Sequence, residues 1–121
     1  LNITTNAPVN KRQKETIERA ISKAILLIPK EKEELLMVNF EDCASLSLSG
    51  DFSTPAAMIE LRVHNVVIEM NEAELLEKVM SLATEVVSKV LDICPDRIYC
   101  TMPAVPYWTA AGLEILKGIL K

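Results

Sequence analysis

Apolar residues in this chain follow two alternating periods, and the alternation occurs twice. Ile17, Ala20, Ile21, Ala24, Ile25 and Ile28 recur three and four residues apart, opposite Lys14, Glu18, Arg19 and Lys23. That spacing predicts an amphipathic helix over Lys11–Ile28. Leu75, Val79, Leu82, Ala83, Val86, Val87 and Val90 repeat the pattern and predict a second helix over Glu72–Leu91. Asn10 with Gln13, and Asn71 with Glu74, carry the spacing of capping boxes at the two starts. Pro29 and Pro95 lie just beyond the two stripes, where proline ends a helix without damaging it.

Each helical stripe is flanked by short stretches that read as strands: Leu1–Thr5 and Leu35–Phe40 around the first, Ala57–His64 and Arg97–Met102 around the second. Ile59, Leu61 and Val63 alternate with Glu60, Arg62 and His64, so one side of that strand faces the helices. Leu35–Val38 is apolar throughout, the pattern of a strand buried on both faces. A crossover of helix length makes the two strands of each unit parallel. The expected fold is α+β, a two-layer sandwich of tandem β-α-β repeats, with a mixed four-stranded sheet and two helices on one face. The repeats are 1–50 and 55–102, with a tail at 103–121, in one domain. Glu41–Thr54, rich in Ser, Asp and Gly, reads as a loop. The tail, interrupted by Pro103 and Pro106, reads as an extended segment packed on another subunit. The second sheet face is bare and must be covered.

Composition narrows the class. Of 121 residues, 50% are hydrophobic and 25% charged, which favours burial by self-association. A net charge of -4 argues against general nucleic-acid binding. No apolar run is long enough to span a bilayer, so no membrane partner is expected. No secretory signal pattern is visible, which points to the cytoplasm. Cys43, Cys94 and Cys100 form no CxxC and read as reduced, buried thiols. With one histidine and no cysteine cluster, neither a metal nor another cofactor is expected.

The residues also carry a resemblance. Thr5-Asn6-Ala7-Pro8, Ser49-Gly50, Pro55-Ala56-Ala57-Met58 and Pro95-Asp96-Arg97-Ile98-Tyr99 occur in the order and spacing of the tautomerase superfamily. The chain resembles its branch of macrophage migration inhibitory factor and D-dopachrome tautomerase, almost without gaps through Tyr99. The resemblance implies a homotrimer, which would cover the bare sheet face. It implies a cofactor-independent keto–enol tautomerase, acting on phenylpyruvate- or dopachrome-like substrates. The base would be an N-terminal proline moving a proton between carbon and oxygen of a small α-keto acid or other enolisable aromatic compound. An α-amine titrates near ~7.7–8.0. Burial and nearby cations lower that value toward neutrality, where a base for proton abstraction is most useful.

Aligned on Asn6 and Pro8, Leu1 falls at the third residue of the family pattern, and the expectation is that two residues precede it. Were Leu1 the terminus, its amine would sit roughly 6–7 Å from the catalytic position, and activity would be lost or vestigial. Lys30 matches the family's active-site lysine, which would hold a substrate carboxylate and stabilise enolate charge. It is equally a solvated lysine at a helix C-terminus, with Lys32 close by. Val63 and His64 match the strand edge whose backbone N–H groups meet substrate, while a histidine at a strand end also serves structure alone. Asn65 and Val66 replace a small residue and a glycine and narrow the pocket. Tyr99 matches a pocket tyrosine from the adjacent subunit, or is ordinary packing. Thr101 stands where asparagine is frequent and can donate a hydrogen bond with shorter reach. Trp108, with Tyr107, either forms an aromatic rim or packs at a subunit interface. The family's CxxC falls on Ala56–Ile59, so thiol-oxidoreductase activity is not implied.

Two other readings stay open: a cytokine-like trimer that binds a protein receptor, and a scaffold relative without catalysis. The first rests on analogy alone. The resemblance also includes members exported without a signal peptide.

Overall fold

A computed structural model describes residues 1–29, 31 and 36–114. Four strands form the main sheet: β1 (Asn2–Thr5), β2 (Asn39–Glu41), β3 (Ala57–Glu60) and β5 (Ile98–Thr101). Their order is β2-β1-β3-β5. The first helix, α1 (Lys11–Ile25), connects β1 to its parallel partner β2, and α3 (Ala73–Leu91) lies between β3 and its parallel partner β5. The two halves meet at the antiparallel β1–β3 pair. The tandem β-α-β units and mixed four-stranded sheet read from the sequence are therefore present.

The core forms where the alternations converge. Ile3, Ile59 and Ile98 point to one side of the sheet, against Ile17, Ile21 and Ile25 of α1 and Val79, Ala83 and Val87 of α3. Asn10 caps α1: its side chain accepts from the Gln13 N–H, and Gln13 accepts from the Asn10 N–H, as the spacing predicts. Regular α-helix stops at Ile25, but Leu27 and Ile28 continue it through tighter bonds to residues three back, and Ile28 stays buried.

The capping residue of α3 differs from expectation. Glu72 occupies the N-cap without a side-chain bond, while Asn71 ends an additional short helix, α2 (Asn65–Met70), and donates to the Val67 carbonyl at 2.8 Å. The β-branched run Val66-Val67-Ile68 hides α2 from propensity arguments.

The stretch read as one strand over Ala57–His64 is divided into β3 and β4 (Val63–His64), which pairs with β6 (Ala104–Val105). The register runs through the division unchanged. Leu61 donates to the Thr101 carbonyl and Val63 to the Pro103 carbonyl, both at 2.9 Å. Pro103 has no N–H to donate in return, so the ladder is interrupted there. A small hairpin, β7 (Thr109–Ala110) with β8 (Leu113–Glu114), follows. The tail is extended as far as Glu114; its apolar residues Ile115, Leu116, Ile119 and Leu120 lie outside the described residues, as does Leu35.

Burial of Leu36, Met37 and Val38 on both faces is not found. Met37 is 84% exposed, and Leu36 and Val38 are only partly covered, because they flank the sheet rather than enter it. The expected buried thiols are also corrected: Cys43 and Cys94 are exposed and Cys100 is half-buried.

The sheet face away from the core carries two cross-strand rows. One is Asn39, Asn2, Glu60 and Thr101; the other is Glu41, Thr4, Met58 and Tyr99. Met58 and Tyr99 remain substantially exposed on it. Ile59 is fully buried on the opposite side. Ile59→Ala should destabilise the chain by about 2–5 kcal/mol, and Asn10→Ala by about 1 kcal/mol through loss of the cap. Urea unfolding of the two variants checks both values.

Candidate active site

The N-terminal end of β1 lies level with Glu60 of β3 and, through it, with Thr101 of β5. Leu1 continues β1 outward, its nitrogen donating to the Met37 carbonyl and its carbonyl accepting from the Asn39 N–H, both at 2.8 Å. On the other side, Asn2 pairs with Glu60 in antiparallel register. Continuing that register places Leu1 level with Leu61, a preceding residue level with Arg62, and the one before it level with Val63. Val63 and His64 thus stand beside the path of any chain ahead of Leu1.

Each candidate residue has a definite place. The Val63 N–H is used by Pro103, so that donor is spent within the chain. His64 is buried, and its Nδ1 accepts from the Val66 N–H at 3.1 Å, capping α2. Its Nε2 lies 3.9 Å from Glu114 Oε1 of the tail hairpin. Asn65 and Val66 form the first turn of α2. Thr101 and Tyr99 lie on the open sheet face of β5, exposed, at the levels of Glu60 and Met58. Tyr99 is therefore about 16 Å along the sheet from Val63, and one chain does not bring the two together. Trp108 is half-buried between β6 and β7, while Tyr107 is 87% exposed. Lys30 and Lys32 lie outside the described residues.

Charge at this end comes from a pair that the sequence reading left as ordinary strand polarity. Arg62 and Glu60 project from alternate positions and meet at 3.1 Å, Nη2 to Oε1. Opposite charges two apart on one strand were the available signal. A free amine at Leu1 is held below its ordinary value by burial first, then by the Arg62 charge, with Glu60 opposing. Two of the thiols, Cys94 and Cys100, are disfavoured as thiolates. Cys94 is pushed up chiefly by its hydrogen bond with Asp96, and Cys100 chiefly by burial. Among the described residues no group of three His, Cys, Asp or Glu side chains is placed to hold a metal ion. No helix among them is long and apolar enough to cross a membrane. A shallow groove between α3 and β5, lined by Met80, Thr84 and Cys100, holds none of the candidate residues.

The residues that carried the resemblance organise a loop. The Asn6 side chain accepts from the Ala56 N–H at 2.9 Å and donates to the Phe52 and Thr54 carbonyls, each at 3.0 Å. From the other side, Arg97 donates to the Pro55 and Thr54 carbonyls, each at 3.0 Å. Asp51 gathers the Ser53 and Thr54 hydroxyls and amides.

Solved structures share this architecture. MIF2 from Leishmania major superposes with a TM-score of 0.79 at 15% identity, covering 93% of each chain. The macrophage migration inhibitory factor homologue from Prochlorococcus marinus gives 0.78 at 21% identity, over 93% of this chain and 96% of that one. Pt0534, a structure inactivated by 2-oxo-3-pentynoate, gives 0.78 at 13% identity over 96% of each. The chain has the fold of macrophage migration inhibitory factor homologues. No protein-family model matches the sequence, and no curated protein matches it.

Asp51 offers a test of the loop. Its carboxyl is held well below the usual carboxylate range, first by the Thr54 hydroxyl and amide and then by those of Ser53. A depressed folded-state value contributes stability above the unfolded value, and that contribution is lost as the pH falls toward the folded one. Asp51→Asn should therefore be less stable than the parent at pH 7. The gap should begin to narrow below about pH 4 and go on narrowing as the pH falls toward the folded-state value, as read by thermal melts across pH.

Proposed function

We propose that this chain is a tautomerase-superfamily enzyme that moves a proton between carbon and oxygen of a small 2-oxo acid. The base is an N-terminal proline two positions ahead of Leu1. The observation that supports this reading is the β1–β3 register, Asn2 opposite Glu60; a strand extended two residues ahead of Leu1 in that register would reach the level of Val63. An amine at Leu1 itself is disfavoured in its charged form, by burial and then by Arg62, and a neutral amine is the form that abstracts a proton.

The substrate class follows from the same chemistry. A proton beside a carbonyl is removable near neutral pH only if the enolate charge is stabilised, and a cation at the site supplies that stabilisation. Lys30 is the proposed cation from the α1 side. The inactivation of Pt0534 by 2-oxo-3-pentynoate, itself a 2-oxo acid, supports this class. Phenylpyruvate carries the required 2-oxo acid with an enolisable position next to it.

A trimer completes the proposal. It would cover the open face bearing Met58 and Tyr99, and it would let Tyr99 of one subunit reach the β1 end of another, a meeting that a single chain does not provide. Trp108 then forms part of the aromatic wall.

The chain with its N-terminal proline should enolise phenylpyruvate, followed by ultraviolet absorbance of the enol, and should have the solution mass of three chains. Acetylation of the N-terminal amine should abolish turnover while leaving the three-chain assembly intact. Absence of turnover with the proline confirmed by intact mass would overturn the enzyme reading; a dispersed single chain would overturn the trimer.

A further inference from the structure

We propose that His64 is a proton-operated switch between the first turn of α2 and the tail hairpin β7–β8. Adding a proton to its ring breaks the cap of α2 and creates an ion pair with Glu114. The inference stands apart from the tautomerase reading, since it needs neither an N-terminal base nor turnover.

The two ring nitrogens face different elements. His64 is buried. Its Nδ1 accepts from the Val66 N–H at 3.1 Å, as the N-cap of α2. Its Nε2 lies 3.9 Å from Oε1 of Glu114 on β8. One ring thus stands between a helix that follows it directly and a hairpin far downstream.

A nitrogen of imidazole accepts only when it carries no proton, and in the imidazolium both nitrogens are donors. A proton on Nδ1 would point at the Val66 N–H, and a backbone donor in the first turn of a helix would lose its acceptor. α2 is sensitive to that loss. It has six residues, of which Val67 is buried, and the run Val66-Val67-Ile68 is β-branched. At the other nitrogen the same proton sets a cation beside a carboxylate, away from bulk water, where their attraction is stronger. Each protonation state therefore favours one neighbour at the expense of the other.

The charges around the ring are few. Ala104 and Val105 of β6, and Thr109 and Ala110 of β7, carry none. The ionisable side chain of α2 is Glu69, exposed and near the far end of the helix. Arg62, two residues before His64, is half-exposed and held by Glu60. Among the described residues, Glu114 is the carboxylate within 4.0 Å of the ring.

NMR of the parent chain between about pH 8 and pH 5, the range in which histidine ordinarily titrates, tests the switch. The Val66 amide should shift with the same midpoint as the His64 ring, and its protection factor should fall roughly five-fold, the scale of one lost cap. Glu114→Gln removes the partner of the cation and should move the ring midpoint to lower pH, with the Val66 amide following it. His64→Asn keeps a capping side chain that does not titrate, so the Val66 amide should lose its pH dependence. Should His64→Asn fail to fold, the parent and Glu114→Gln still decide. A Val66 amide that ignores the ring, a midpoint unmoved in Glu114→Gln, or a ring that gains no proton by pH 5 would each overturn the switch.

Discussion

The pairing of β1 on both sides is the constraint on which the structure depends. β1 is parallel to β2 and antiparallel to β3, so it alone joins the two β-α-β halves into one sheet. Ile3 and Thr5 point into the core, and a slip of one residue would turn both outward. Thr5 is held further by its hydroxyl, which donates to the Ala56 carbonyl at 2.6 Å and accepts from the Ala7 N–H. The register that buries the core also sets Asn2, at the strand's N-terminal end, beside Glu60. Stability and site geometry thus share one origin.

The loop between the halves is fixed from two directions. Asn6, immediately after β1, and Arg97, immediately before β5, both bond to the Thr54 carbonyl. These carbonyls belong to a loop with no ladder of its own, and a partly exposed polar backbone needs partners. The most family-like residues in the chain are therefore those that satisfy backbone groups. A site assembled at strand ends needs its backbone in place before any side chain can act, which is why short motifs here mark architecture more than chemistry.

Legibility in the sequence varied with how local the cause was. The stripes of both long helices, the Asn10 cap and the parallel crossovers were readable, because each depends on residues within a few turns of one another. The division of β3 from β4 was not. It follows from Pro103, some forty positions downstream, whose missing N–H interrupts the ladder. The role of Asn71 was misplaced because α2, capped by the buried His64, takes the turn that would have freed Asn71 to start α3. Likewise Met37 is apolar yet exposed, since its backbone, not its side chain, meets Leu1.

By itself the sequence determined the class of fold, the two crossovers and the inward faces of helices and strands, since hydrophobic periodicity is a property of neighbouring residues. Tertiary structure decided which strand ends meet. Only the folded sheet sets Glu60 and Arg62 beside the end of β1, commits the Val63 N–H to Pro103, and separates Tyr99 from Val63 along the sheet. Those outcomes depend on register between segments distant in the chain. Register is a sum over many weak contacts that no short stretch of residues encodes.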